Sequence, residues 1–381
     1  MKLLRNERLS AVLLVLAAAA GLLLANLRAT SGLVDLSAVH LPVPWLGLDL
    51  SVRHWVTDGL LAIFFFLAAI ELKHELTGGE LSSARRALVP AVAAVGGVIV
   101  PAALFLLLVR DPALADGWPI PTATDVAFAL GALAILGRGL PTRIRAFLLA
   151  LAVIDDLIAI LVIAAFFTSE LSPLPLLCAV PVILLFGWLS RGTGSPWRTA
   201  AMVVLALGAW ILVALSGIHP TIAGVALGLV MAGGGAARAR HALEPFSNLL
   251  VLPLFAFVAA LVVIPDASGG LSPVFWAIVV ALPVGKLVGI TGAGMIASRL
   301  AGRREERMPA GDLVVVAGLG GIGFTVSLLM NELAYGGSEI AAEGTVAVLI
   351  GSATALVVGG AITAVRSAQY RRGRVVSRSR S

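Results

Sequence analysis

The chain has 381 residues, 59% of them apolar and only 13% charged, and its mean hydropathy is +1.03. Soluble domains are about 45–50% apolar and about 25% charged, so the composition excludes a soluble catalytic domain and leaves a polytopic membrane protein. A net charge of +6 and a pI of about 10.4 would suggest a nucleic-acid partner in a soluble chain, but here the arginines map to loops between apolar segments, where membrane topology explains them.

The first segment imitates a signal peptide, with Lys2, Arg5 and Arg8 ahead of an apolar stretch. That stretch, Leu9 to Leu27, exceeds the ~7–15 residues of a cleaved core, so it reads as a retained membrane helix. Val43 to Arg53 alternates apolar and polar positions behind Pro42 and Pro44, which predicts a β-hairpin on the outer face over about 40–53, with an irregular loop as the alternative. Apolar segments then recur at 58–76, 88–109, 121–137, 146–167, 174–190, 199–215, 218–232, 246–265, 274–298, 313–331 and 344–365. With 9–27 this makes about twelve, each near the ~20 residues a membrane helix needs. The fold class is therefore all-α and polytopic, a single membrane domain over 1–381. The only cysteine, Cys178, lies in an apolar segment and reads as a small core residue.

Of the 27 Lys and Arg residues, 23 fall on one side of this arrangement, Arg28, Arg53 and Arg110 on the other, and Lys286 inside a segment. The positive-inside rule then puts both termini in the cytoplasm, including a basic tail over 366–381 that would touch anionic lipid.

Two segments read as broken. The fourth opens Trp118-Pro119-Ile120-Pro121-Thr122-Ala123-Thr124-Asp125, where prolines remove donors and disfavour a regular helix start. The eleventh carries Gly318, Gly320, Gly321 and Gly323 ahead of Phe324-Thr325, a run that favours unwound backbone. Irregular backbone at membrane depth survives only where protein or a water cavity satisfies it. The two breaks stand at corresponding distances from the two ends. Segments three to five (about 88–167) and ten to twelve (about 274–365) therefore read as inverted repeats. Half-helix ends would point into the centre, with Asp125 facing N-termini and Lys286 facing C-termini.

Asp155 and Asp156 are the only formal charges between Phe147 and Phe167. A carboxylate at bilayer depth costs roughly 2.5–3.5 kcal/mol on insertion scales, so an adjacent pair implies a purpose other than packing. At ~1.5 Å per residue from Arg145 both sit about 15–17 Å deep, near the midplane of a ~30 Å core. Lys286, 12 residues beyond Val274, reaches the same level. Neighbours on a helix are about 100° apart, so one aspartate can face a cavity and bind a cation or proton while the other faces a partner helix and Lys286.

The stretches Thr124-Asp125-Val126-Ala127-Phe128, Ala152-Val153-Ile154-Asp155-Asp156-Leu157, Gly285-Lys286-Leu287-Val288-Gly289 and Gly321-Ile322-Gly323-Phe324-Thr325 resemble, in order, the NhaA-type Na⁺/H⁺ antiporters of bacterial inner membranes. So do Glu71-Leu72-Lys73, Ser216-Gly217-Ile218-His219 and Pro253-Leu254-Phe255-Ala256-Phe257. That family is itself a known example of the inverted-repeat, broken-helix architecture. The resemblance implies interrupted, crossing helices 4 and 11, supported by Thr124, Asp125, Gly321, Gly323 and Thr325. It implies Asp156 as principal Na⁺ ligand and proton carrier, and Asp155 as either a second ligand or the partner of Lys286. Lys286 is then a permanent countercharge or a proton carrier. Asp58 would lie at the periplasmic funnel, and Glu71, Lys73, Glu75, His219 and His241 are the pH-sensing candidates. It also implies Na⁺, Li⁺ and H⁺ as transported ions, no cofactor, membrane lipid as surroundings, an inner-membrane location and a homodimer joined through the outer hairpin. Two places depart from the family: Val258-Ala259-Ala260 after Phe257, and the charges around His241 in Arg240-His241-Ala242-Leu243-Glu244.

Two rivals remain. An intramembrane aspartyl protease, the enzymatic reading, needs aspartates on two different helices, whereas this pair is adjacent. A sodium-coupled organic-solute symporter would need a larger and more polar pocket.

Overall fold

The computed structural model describes residues 7–30, 32–168, 171–192, 195–266, 268, 270–300 and 308–378. The charges at Lys2, Arg5, Arg303, Arg304 and Arg307, and the end of the tail from 379, lie outside them. Among the described residues, eight helices are long and apolar enough to cross a membrane, or ten when each of two bent helix pairs is one span. Two shorter apolar helices, Pro173–Leu189 and Thr221–Val230, fall on the remaining two predicted segments. The chain is an all-α, multi-pass membrane protein.

The described chain gathers into two compact units. The first comprises Leu13–Thr77 and Ile160–Val263. Its hairpin pairs His40–Val43 with Leu48–Ser51 in antiparallel register, His40 opposite Ser51 and Val43 opposite Leu48. Gly47 turns the chain in the left-handed region at φ 66°. Leu48, Ala62, Ala179, Trp210, Val213 and Ala223 form a buried cluster, and Trp55 stacks on Trp210 with ring centroids 5.7 Å apart. Cys178 corrects the sequence reading: it is exposed, on a helix whose Leu174, Leu177, Leu184 and Trp188 also point outward. In an all-round apolar helix, composition does not tell the lipid-facing side from the core side.

The second unit comprises Asn6–Val12, Gly78–Ala159 and Ile264–Ser381. It runs twice through the same order: a long helix, a bent pair and a long helix. The first run is Ala84–Leu108, then the bent pair ending Val126–Leu136, then residues 142–159 of the helix Thr142–Phe166. The second is Pro273–Leu300, then Ala310–Gly320 with Phe324–Tyr335, then Glu339–Arg378. The last helix does not stop at the predicted 365; 366–378 continue it. The two leading helices meet backbone to backbone at Gly96 and Gly289, where a Cβ on Gly289 would lie 2.2 Å from the Gly96 carbonyl oxygen. Without a hydrophobic drive between helices in lipid, such close approach supplies the packing.

Among the described residues, three stretches widen into π-turns, Trp55–Leu60, Ser247–Val251 and Ala281–Gly285. The latter two follow or contain a proline, Pro245 or Pro283, whose missing N–H interrupts the helical ladder. The π-turn at 281–285 immediately precedes Lys286.

Gly289→Ala is expected to lower the melting temperature of the detergent-solubilised protein, as overpacking of ~1–3 kcal/mol requires. Gly292→Ala, whose Cβ would meet nothing within 4 Å, is expected to leave it unchanged.

Candidate functional site

The two bent pairs set the site. The first bends by 42° between Pro112–Thr122 and Val126–Leu136, the second by 50° between Ala310–Gly320 and Phe324–Tyr335. The first break follows from Pro119 and Pro121, which allow only a short 3₁₀ turn at Ile120–Thr122 before Ala123 becomes extended. The second follows from the glycine run and is sharp enough to hold Phe324, a non-glycine residue, at φ 24°.

The breaks satisfy one another. Asp125 N–H donates to the Ile322 carbonyl at 2.7 Å, and Thr124 Oγ1 donates to the Gly320 carbonyl at 2.7 Å. Asp125 Oδ1 accepts from Phe128 N at 2.9 Å. Its Oδ2 accepts from Thr325 Oγ1 at 2.6 Å and Thr325 N at 3.3 Å. One carboxylate, 3% exposed, thus caps the N-termini of both half-helices, where an anion complements two positive dipole ends. Ser352 Oγ accepts from Phe324 N at 3.0 Å, Ser327 Oγ donates to the Ile120 carbonyl at 2.7 Å, and the Phe128 and Phe324 rings lie 5.6 Å apart. Gly321 and Gly323 are tight for another reason: a Cβ on Gly323 would sit 2.1 Å from Ser327 Oγ, and one on Gly321 3.2 Å from Ala355.

Asp155 and Asp156 lie in the middle of Thr142–Phe166. Lys286 is fully buried, and its Nζ donates to Asp155 Oδ2 at 2.5 Å. Asp155 Oδ1 is buried with no hydrogen-bond partner among the described residues. Asp156, turned about 100° along the helix, is 8% exposed and has no hydrogen bond or ion pair among the described residues. Three carboxylate oxygens are therefore left to accept a hard cation or a proton, beside one oxygen committed to an ammonium. No three His, Cys, Asp or Glu side chains among the described residues are gathered as a resident metal cage. Further cation ligands here must be hydroxyls, carbonyls or water.

The other predicted residues belong to the first unit. Asp58, 7% exposed, accepts from Thr57 Oγ1 at 2.8 Å and faces His219 Nε2 at 3.5 Å. The His219 side chain is 9% exposed, with Nδ1 2.7 Å from Thr221 Oγ1. Trp210 Nε1 donates to the Asp58 carbonyl at 3.0 Å. Glu71 pairs with Arg240, and Arg240 Nε lies 3.8 Å from Glu244. Lys73 instead donates to the Leu229 and Met231 carbonyls at 2.7 and 2.8 Å, closing the end of Thr221–Val230. Glu75 is buried and His241 exposed. The five pH-sensing candidates thus have distinct surroundings.

Sequence reasoning missed four groups: Arg240 as the partner of Glu71, Ser352 and Ser327 as supports of the break, and a fully buried Asp312 bound by Arg143, Arg366 and Tyr370. Arg240 lay in the stretch around His241 whose charges depart from the family; the other three carried no local signal.

Crossed helix breaks capped by one buried carboxylate, next to a buried lysine–aspartate pair, define a membrane protein of the broken-helix transporter class. The family described as Na⁺/H⁺ antiporter 1 matches residues 1–363, and the chain belongs to that family. It is similar to "Na(+)/H(+) antiporter NhaA 2" of Clavibacter michiganensis subsp. michiganensis, 53% identical over 380 residues that cover 97% of this chain and 93% of the relative. It is 45% identical to "Na(+)/H(+) antiporter NhaA" of Tropheryma whipplei over 92% of each chain. "Na(+)/H(+) antiporter NhaA 2" of Kineococcus radiotolerans is 43% identical over 97% of this chain and 85% of its own.

Asp125→Ala removes the caps of two helices, each worth about 0.5–2 kcal/mol. It is expected to lower the melting temperature of the solubilised protein about twice as far as Thr325→Val, which removes one of the three bonds to that carboxylate.

Proposed function

We propose that the chain exchanges Na⁺ for H⁺ across the membrane, with both ions competing for Asp156. The observation that carries this reading is the division between the two aspartates: Lys286 occupies Asp155 Oδ2, while Asp156 is left without a partner among the described residues. Family membership and the relatives' names support antiport. Neither supports the sodium-coupled symporter alternative. The family is one of transporters, and both aspartates stand on one helix, unlike the two-helix arrangement of the protease reading.

A buried carboxylate is poorly solvated as an anion, so it is stable with a proton or with a cation and unstable empty. Loading Na⁺ therefore ejects the proton, and loading the proton ejects Na⁺. If only loaded sites exchange access between the two sides, coupling follows with no further parts and no cofactor. Asp155 Oδ1 is placed to join the coordination of Na⁺, with Lys286 screening the charge of the pair. Whether Lys286 keeps its proton through the cycle decides the stoichiometry. Each net charge moved gains about 2.3 kcal/mol per 100 mV, which in an electrogenic cycle drives protons in and Na⁺ out. Li⁺, of the same charge and hardness, is a second substrate in this reading.

The same reading puts the protein in the bacterial inner membrane with both termini in the cytoplasm; the uneven distribution of arginines supports that orientation. It makes the hairpin His40–Ser51 the contact of a homodimer. It assigns pH regulation to groups away from Asp156: the Asp58–His219 pair, and Glu71, Lys73, Glu75 and His241. In support, His219 Nε2 lies 3.5 Å from the Asp58 carboxylate.

Everted membrane vesicles with a pH-sensitive dye test the central step. Asp156→Asn is expected to abolish the Na⁺-dependent pH signal while the protein remains in the membrane. Undiminished exchange by that variant sinks the assignment.

A further inference from the structure

We propose that Asp312 is a positioning residue for ion binding: it locks the interrupted helix Ala310–Gly320 to the helix that carries Asp155 and Asp156, and so sets how tightly Na⁺ is held. The inference rests on the exchange reading above.

Asp312 stands in the first turn of Ala310–Gly320 and is fully buried. Its Oδ2 accepts from Arg143 Nη2 at 2.8 Å and from the Tyr370 hydroxyl at 2.8 Å. Its Oδ1 accepts from Arg366 Nε at 2.9 Å and is 3.1 Å from the same hydroxyl. Arg143 also reaches the Tyr370 hydroxyl at 3.1 Å. Arg366 lies over the Tyr370 ring at 4.9 Å and donates to Gln369 at 2.9 Å. A Cβ on Gly311 would be 3.0 Å from the Arg366 guanidinium carbon, so that group lies against the backbone of the half-helix. The carboxylate also complements the positive dipole end of its own helix.

Three helices meet on this one carboxylate. Arg143 is the second residue of Thr142–Phe166, and Arg366 and Tyr370 stand on Glu339–Arg378. The opposite end of Ala310–Gly320 is held at the break, where the Gly320 carbonyl accepts from Thr124. The half-helix is thus fixed at both ends, one at the crossing and one at the start of the aspartate helix. Asp155 lies 12 residues beyond Arg143, ~18 Å along a continuous helix, so a shift of either helix at the Asp312 end is carried to the carboxylates. Charge-assisted bonds to both oxygens resist such a shift more than neutral ones. Removing one partner from a buried pair leaves a charge without compensation.

The test measures Na⁺-dependent exchange in everted vesicles over a range of Na⁺ concentrations for the wild type, Asp312→Asn, Arg143→Ala, Arg143→Lys and the double variant Asp312→Asn/Arg143→Ala. Protein amount in the membrane is measured in parallel. The Arg143 side chain is 48% exposed, so its variants keep a readout if Asp312→Asn fails to accumulate. Asp312→Asn and Arg143→Ala are each expected to raise the KM for Na⁺ about fivefold, within the range found for residues along a coupling network. The maximal rate per protein is expected to hold within about twofold. Arg143→Lys should recover most of the loss, and the double variant should be no worse than the more severe single one. A purely structural cluster would lower protein amount and leave KM unchanged; an unchanged KM in Arg143→Ala overturns the proposal, whatever Asp312→Asn does. Absence of exchange in the wild type would overturn the exchange reading itself and the proposal with it.

Discussion

A charge that cannot reach water must be matched by the chain, and the Lys286–Asp155 pair is the most deeply buried such match among the described residues. Removing one partner of a buried pair costs about 3–5 kcal/mol, so the pair fixes the aspartate helix in rotation as well as in depth. That fixation gives Asp156 its character. With Asp155 held toward the lysine, its neighbour turns to another side, where it has no hydrogen bond or ion pair among the described residues and is the group proposed to take the cation or the proton. The proline-linked π-turn Ala281–Gly285 ahead of Lys286 sits where a regular ladder already fails, and it sets the azimuth at which the lysine leaves its helix.

The backbone obeys the same rule as the charges. Breaking a helix inside a membrane exposes N–H and C=O groups that lipid cannot satisfy. Here each break supplies what the other lacks: a carbonyl for the Asp125 N–H, a carboxylate for two half-helix N-termini, a serine for the Phe324 N–H. The two breaks therefore stand or fall together. The strain at Phe324 is tolerated because its amide is bonded and its ring packs on Phe128. A rigid, mutually capped crossing beside an uncommitted carboxylate suits a site that must hold its geometry while its occupant changes.

Much of this was legible in the order of residues. Runs of about twenty apolar residues located the spans. Pro119, Pro121 and the run from Gly318 to Gly323 located the breaks, because these residues remove donors or steric limits locally. Asp155, Asp156 and Lys286 were conspicuous as charges without water. What could not be read was which partner each side chain chooses across hundreds of residues. Asp312, next to Gly311 and Pro309, carries no local sign of its partners, and Arg143 and Arg366 count in the sequence only as topology charges. Lys73 and Glu71, two positions apart, serve different partners. Cys178 was misplaced because a helix apolar on every face carries no moment to orient it. His219 gave no sign that Asp58 would meet it. Local chemistry writes the breaks and the spans; long-range pairing is settled only when the helices pack.

The competition between Na⁺ and H⁺ at Asp156 is tested most directly by proton release from purified protein in detergent when Na⁺ is added without a membrane gradient. The account predicts release that saturates with Na⁺, appears also with Li⁺ and disappears in Asp156→Asn. Release of the same size from Asp156→Asn, or Na⁺ binding by the wild type with no proton released, would contradict it.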